Sequence, residues 1–185
     1  MATNLQNPGG RRGNPWRLAI WGFAGCLLLL PLVAMQFTDE VNWTGSDFAV
    51  FGAMLAVACG AYEFAARMSG STAYRAGAGI AVVAGFLLVW VNLAVGIIQD
   101  TAHPANLMFA GVLVVGVAGA LIARFRPQGM ARALVATAAA QGLAGAIGLI
   151  FFRAEGPQQA MALTVLTGIL AAMWLVSAWL FRKSA

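Results

Sequence analysis

Residues 74–108 have the sequence YRAGAGIAVVAGFLLVWVNLAVGIIQDTAHPANLM. An apolar run begins beside Arg75, carries one amide at Asn92, and continues through a short polar turn into a second apolar run. Because about 20 helical residues cross the hydrocarbon core of a bilayer, this pattern predicts two transmembrane helices joined by a tight turn.

The composition extends this prediction to the whole chain. The sequence is 61% hydrophobic and 9% charged, whereas soluble proteins carry about 25% charged residues. In lipid the backbone polar groups have no water to bond, and a helix satisfies them within one segment. The sequence therefore predicts an all-α, polytopic transmembrane helix bundle.

Six apolar runs define the predicted bundle. We expect a disordered cytoplasmic tail over residues 1–16 and a single six-helix transmembrane domain over residues 17–182. Short loops also predict that consecutive helices are antiparallel neighbours. The predicted spans cover residues 18–36, 48–68, 76–98, 105–123, 131–152 and 159–181.

The first span also has features of a secretory signal peptide. Basic residues precede its apolar run, and residues 23–26 (FAGC) imitate a lipoprotein cleavage site. A mature lipoprotein would turn polar after its cysteine, but Cys26 is followed by four leucines. We therefore expect a retained span, with cleavage as the alternative.

Charged residues alternate between the predicted loops. The tail, the second and fourth loops and the C-terminus hold every Lys and Arg except Arg153. The other loops carry Asp39, Glu40, Asp47, Asp100 and Glu155. Since cytoplasmic loops of membrane proteins are enriched in Lys and Arg, this pattern predicts six spans with both termini in the cytoplasm.

Small residues recur at four-residue spacing on the second and fifth spans. Such rows let helix backbones approach closely in lipid. We expect them to pack inside the bundle, and the alternative is an interface of a homo-oligomer or a larger membrane complex. The rows are Gly52, Ala56 and Gly60, and Ala138, Gly142 and Ala146.

Glu63 is the one carboxylate set inside a predicted span. It precedes Arg67 by four residues, the spacing at which a helical Glu and Arg attract each other. The pair is predicted to be an ion pair at the membrane interface, near the cytoplasmic end. The alternative is a proton- or cation-linked site at a cytoplasmic mouth.

Two amides lie within apolar spans, Asn92 in the third and Gln141 in the fifth. Amides in lipid usually face other helices and form hydrogen bonds between them. This packing role is our first expectation. The alternative is that Asn92 and Gln141, together with Glu63, line a small polar pathway.

The turn after the third span holds Asp100, His103 and Asn106. The single histidine, His103, is predicted to be solvated, and the alternative is a pH-sensitive pair with Asp100. Pro104 suits the first position of the fourth helix, where a missing N–H is tolerated. Asn106 is then expected in the first turn of that helix.

The chain lacks the residue patterns that most membrane enzymes need. Lys183 is its only lysine, and its two cysteines and single histidine show no metal-ligand spacing. It has no Gly-rich phosphate loop followed by Lys, and no basic face with interleaved aromatics. We therefore predict a protein that is not an enzyme and has no metal, cofactor or nucleic-acid partner.

Three segments resemble a group of small bacterial inner-membrane proteins that has no established activity. The resemblance rests on YRAGAGIAVVAGFLLVWVNLAVGII followed by PANLM, on GAYEFAAR at 60–67 and on ARFRPQGMARAL at 123–134. It covers residues 47–150 and implies the inner membrane of a bacterial cell. The first and last spans fall outside it.

Two functions are consistent with these observations. The first is a non-enzymatic accessory or scaffold bundle, which the small-residue rows and the lack of catalytic groups favour. The second is a small-solute or ion transporter or channel with Asn92, Gln141 and Glu63 on its pathway. The second function requires these three side chains to face one shared cavity.

Overall fold

A computed structural model describes residues 15–98, 104–151 and 157–185. Its described elements are helical, and all six α-helices are long and apolar enough to cross a membrane. The chain is thus a multi-span helical membrane protein, as predicted. The helices are α1 (Pro15–Ala34), α2 (Gly45–Met68), α3 (Thr72–Ala94), α4 (Leu107–Ile122), α5 (Pro127–Phe151) and α6 (Pro157–Lys183), and a 3-10 helix, Pro104–Asn106, precedes α4.

Three helices begin at a proline, and each begins before the predicted span. These are Pro15 of α1, Pro127 of α5 and Pro157 of α6. Proline suits the first helical position because its missing N–H would have no partner there. The prediction from hydropathy placed these starts too late in the chain, because the first turn of each helix contains polar residues. Of the predicted tail, residues 1–14 lie outside the described residues and residues 15–16 belong to α1.

The chain divides into two compact units, residues 1–59 and residues 60–185. In the first unit, a Cβ atom on Gly52 of α2 would lie 3.7 Å from both methyl groups of Leu28 on α1. The start of α2 is capped by Thr44, whose N–H and hydroxyl both donate to Asp47 Oδ2 at 2.7 Å. Trp43 packs edge-on against Phe48 at 5.3 Å between centroids. Asp47 thus makes the return contact of a capping box, and Trp43 and Phe48 form a hydrophobic staple.

The second unit contains α3 to α6 and the end of α2. Here α6 packs along both α3 and α5, and α4 packs along α5. The expectation that consecutive helices are neighbours is confirmed for α4 with α5 and for α5 with α6, and it is wrong for α3 and α4, which touch only sparsely. The reason is that α6 runs beside α3, so α5 and not α3 covers most of α4.

Glycines set the closest approaches in this unit. A Cβ atom on Gly145 of α5 would lie 2.5 Å from Thr167 Cγ2 on α6. On Gly119 of α4 it would lie 2.6 Å from Ala133 Cβ on α5. Because both distances are too short for real atoms, these helices pack at separations that only glycine permits.

The predicted small-residue rows do not provide these contacts. Gly142 and Ala146 of α5, and Ala56 and Gly60 of α2, are exposed, and a Cβ atom on Gly142 or Gly60 would meet nothing within 4 Å. Internal packing was therefore the wrong expectation for these four residues. A row with four-residue spacing drifts around a helix of 3.6 residues per turn, so Ala138 is buried while Gly142 faces outward.

Two apolar clusters fill the second unit, one near each end of its helices. We call these the Tyr74 end and the Ile98 end. The cluster at the Tyr74 end includes Tyr74, Ala78, Leu134, Trp174 and Phe181. The cluster at the Ile98 end includes Leu88, Ile98, Phe109, Leu163 and Leu170.

The turn between α4 and α5 lies at the Tyr74 end. The N–H of Phe125 donates to Ala120 O and that of Arg124 to Leu121 O, the pattern of a Schellman motif. Both residues have left-handed backbone angles, with φ of 49° at Arg124 and 57° at Phe125. The Tyr74 hydroxyl donates to Phe125 O at 2.8 Å and holds the turn against α3.

Gly145 and Gly142 give a matched pair of substitutions on α5. We expect Gly145→Ala to lower the free energy of unfolding by about 1–3 kcal/mol, because its methyl group overlaps Thr167. Gly142→Ala is expected to leave it unchanged or raise it by up to about 1 kcal/mol through helix propensity. Denaturant titration in detergent measures both. Equal effects of the two variants would contradict the packing of α5 against α6.

Candidate functional site

Glu63 and Arg67 form an ion pair along α2. Arg67 Nη2 donates to Glu63 Oε2 at 3.3 Å. The Glu63 side chain is 13% exposed and that of Arg67 is 70% exposed. An ion pair with one exposed partner contributes little to stability. Its geometry fits an interfacial pair within one helix better than a deep ion-binding site.

Of the three residues predicted for the turn after the third span, Asp100 and His103 lie outside the described residues. Asn106 lies inside them and joins the two sides of the turn. Its Oδ1 accepts the N–H groups of Ile97 at 3.1 Å and of Ile98 at 2.8 Å. Its Nδ2 donates to Ile98 O at 3.3 Å.

This clamp explains why α3 ends at Ala94, although the apolar pattern continues to residue 98. Gly96 has a φ of 77°, a left-handed angle that glycine adopts without strain. Ile97 and Ile98 then turn their N–H groups to the Asn106 side chain, and both are buried. The predicted end of this span was wrong because hydropathy does not register a turn made of apolar residues.

Substitution of Asn106 tests the clamp. We expect Asn106→Ala to lower the free energy of unfolding by about 2 kcal/mol, because two N–H groups lose their acceptor. Asn106→Asp keeps the acceptor oxygen and is expected to lose less. Thermal unfolding in detergent compares the two variants. An unchanged midpoint for Asn106→Ala would exclude a stabilising clamp.

Gln141 is the most deeply buried amide in the described part of the chain. Its side chain is 0% exposed, and neither its Oε1 nor its Nε2 has a hydrogen-bond partner among the described residues. Asn92 donates from Nδ2 to Leu88 O at 2.9 Å within its own helix, while its buried Oδ1 has no such partner. Neither amide therefore forms the predicted hydrogen bond between helices.

Two further buried groups on α6 share this property. Thr167 is 8% exposed and Trp174 is 4% exposed. Thr167 Oγ1 and Trp174 Nε1 have no hydrogen-bond partner within the described ranges. Sequence reasoning missed both, although they lie seven residues apart on one helix face, as buried positions of packed helices do.

Ser177 carries the hydrogen bond between helices that the amides lack. Its Oγ donates to Gly77 O of α3 at 2.7 Å, and both residues are buried. A Cβ atom on Gly77 would lie 3.2 Å from Phe181 Cδ2, so α3 and α6 are close here. This contact and the Tyr74 hydroxyl bond fix the Tyr74 end of the unit. The only sign of the Ser177 hydrogen bond in the sequence was a hydroxyl side chain within an apolar run.

A cavity of about 260 Å³ lies at the Ile98 end between α3, α5 and α6. Its walls are mostly aliphatic, and Gln159 adds one amide. None of Glu63, Asn92 and Gln141 lines it. The lining residues are Val91, Val95, Gly96, Ile97, Ile98, Gly148, Gln159, Ala162, Leu163 and Leu166.

Comparisons with known proteins found no relative of this chain. No family model, no curated protein and no solved structure matches this chain. Within residues 15–98, 104–151 and 157–185, no group of three or more His, Cys, Asp or Glu side chains is placed to hold a metal ion.

Proposed function

We propose that this multi-span protein is a non-enzymatic accessory or scaffold subunit of a bacterial inner membrane. It would bind a partner transmembrane helix in the bilayer through the outward face of α5. The observation that carries the proposal is the pair Gly142 and Ala146, two small residues one turn apart that are both exposed, with open space where a Cβ atom on Gly142 would be.

A glycine on a helix surface that faces only acyl chains has no packing advantage. Glycine weakens a helix by about 1 kcal/mol relative to alanine, and lipid tails pack as well against alanine. Gly145, one turn away, shows what glycine does on this helix, since it admits Thr167 of α6. We infer that Gly142 and the exposed Ala146 admit a helix from another chain in the same way.

The alternative, a transporter or channel through Asn92, Gln141 and Glu63, has less support. Glu63 lies beside the exposed Arg67, whereas Gln141 is fully buried between helices. The cavity at the Ile98 end is lined by none of the three residues. The apolar cluster at the Tyr74 end lies at the opposite end of the unit from that cavity.

Both termini are proposed to be cytoplasmic. Tyr74 contacts Phe125 O and the Phe181 ring, so the start of α3, the α4–α5 turn and the end of α6 share one end of the second unit. That end carries the basic residues, and the positive-inside rule assigns such an end to the cytoplasm. The basic residues are Arg75, Arg124, Arg126, Arg132, Arg182 and Lys183.

Association through α5 is tested with two differently tagged copies of the chain expressed together. After extraction in mild detergent, we expect the tagged protein to retain either the second copy or another membrane protein. Gly142→Ile is expected to abolish this retention, because a bulky side chain prevents close helix approach. The matched control is Gly111→Ile on α4, where a Cβ atom also meets nothing within 4 Å but the residues one turn away, Leu107 and Val115, are too large to let a helix approach closely.

Two outcomes would contradict the association. One is a wild-type protein that purifies as a monomer without a partner. The other is equal retention by Gly142→Ile and Gly111→Ile. A monomer that also conducts ions in liposomes would support the transporter instead.

The orientation is tested by cysteine labelling in the full chain after replacement of Cys26 and Cys59. We expect Glu40→Cys to react in intact cells with a maleimide that does not cross membranes. Ser184→Cys is expected to react only after lysis, because the C-terminus is cytoplasmic. Labelling of Ser184→Cys in intact cells would reverse the orientation.

A further inference from the structure

Four polar side chains in the second unit have buried atoms without a hydrogen-bond partner among the described residues. They are Asn92 on α3, Gln141 on α5, and Thr167 and Trp174 on α6. Leaving a buried polar group unpaired is unfavourable, and more so in a fully apolar medium. The four groups lie on α3, α5 and α6, and α6 packs along both of the other helices. This arrangement indicates a common site.

Contacts between the helices place the four groups at two neighbouring depths, that is, at two adjacent levels along the helix axes between the Tyr74 end and the Ile98 end. Gly145 faces Thr167, and Gly85 of α3 faces Trp174, whose Cη2 would lie 3.7 Å from a Cβ atom on Gly85. Asn92 follows Gly85 by seven residues on α3, and Thr167 precedes Trp174 by seven residues on α6. Because α3 and α6 run antiparallel, both steps lead toward the Ile98 end. Asn92 and Thr167 therefore share the depth nearer the Ile98 end.

Gln141 and Trp174 share the second depth. Gln141 precedes Gly145 by one turn, which places its Cα about 6 Å nearer the Tyr74 end than the Gly145–Thr167 contact. Long side chains on a helix lean toward its N-terminus. The Gln141 amide on α5 thus leans toward the level of Trp174, and the Trp174 indole on α6 leans back toward the level of Gln141.

We propose that these four groups form a mid-membrane binding site for water or another small, uncharged molecule that both donates and accepts hydrogen bonds. Trp174 Nε1 donates, Asn92 Oδ1 accepts, and Gln141 and Thr167 do both. All four side chains are neutral, so a charged ligand would lack a counter-charge there. The site goes beyond the proposed association through α5 and does not depend on it.

The cavity at the Ile98 end lies close to this site. Leu163 and Gly148 line the cavity, and they lie about one helical turn from Thr167 and Gly145, respectively. On the other side of Trp174, the apolar cluster with Ala84, Leu134, Ala138 and Phe181 closes the unit. The cavity and the site thus lie on the same side of this cluster.

The test uses the full chain in lipid nanodiscs with nitrogen-15-labelled tryptophan. The Trp174 indole signal is assigned by its loss in Trp174→Phe. We expect this N–H to show a magnetisation-transfer peak from water in the wild type. In Gln141→Leu we expect the peak to be lost, because the apolar side chain removes the amide that holds the ligand.

Thr137→Val is the matched control. Thr137 is fully buried one turn before Gln141, but its hydroxyl already donates to Ala133 O at 2.9 Å. This variant is expected to keep the water peak. Native mass spectrometry separates the two sources of the ligand: a mass excess in the wild type that Gln141→Leu lacks identifies a bound solute, and no excess with a water peak identifies water.

A dry interior gives the opposite results. The Trp174 N–H then shows no water peak, the wild type carries no extra mass, and Gln141→Leu raises the midpoint of thermal unfolding because an unpaired amide is removed. That combination would overturn the proposal. A water peak that persists in Gln141→Leu would also overturn the assignment to Gln141.

Discussion

The contact between Gly145 of α5 and Thr167 of α6 is the constraint on which the second unit depends. Lipid offers no hydrophobic force between helices, so they associate through close packing and hydrogen bonds. With glycine at position 145 the two backbones approach until Thr167 fills the space of a side chain. Helix α5 then lies close enough to α6 to bury Gln141 completely.

Helix α6 extends this constraint to α3. Its buried residues recur at three- and four-residue spacing, and Ser177 adds a hydrogen bond to Gly77 O where the two helices are closest. Near the same end, Tyr74 packs edge-on against Phe181 and donates to Phe125 O. Rigid packing at the Tyr74 end contrasts with the Ile98 end, where α3, α5 and α6 leave a cavity beside buried polar groups.

Parts of the candidate site were readable from the sequence. The spacing of Glu63 and Arg67 predicts the contact that they make, because residues four apart meet on one helix face. The amides Asn92 and Gln141 were recognised because amides are rare in apolar spans. Thr167 and Trp174 were not recognised, because a threonine or a tryptophan in an apolar span is not unusual in the way that an amide is. The clamp by Asn106 required knowledge of which backbone groups it faces.

By itself, the sequence determined that this protein spans a membrane with six helices, because length and apolarity decide whether a segment remains in water. Only the tertiary structure decided which glycines pack and which face outward, since a row with four-residue spacing drifts around the helix. It also decided that α6 pairs with α3, a contact between residues about 100 positions apart. Together with the contact between α5 and α6, that pairing brings Asn92, Gln141, Thr167 and Trp174 to neighbouring depths, and no local pattern records it.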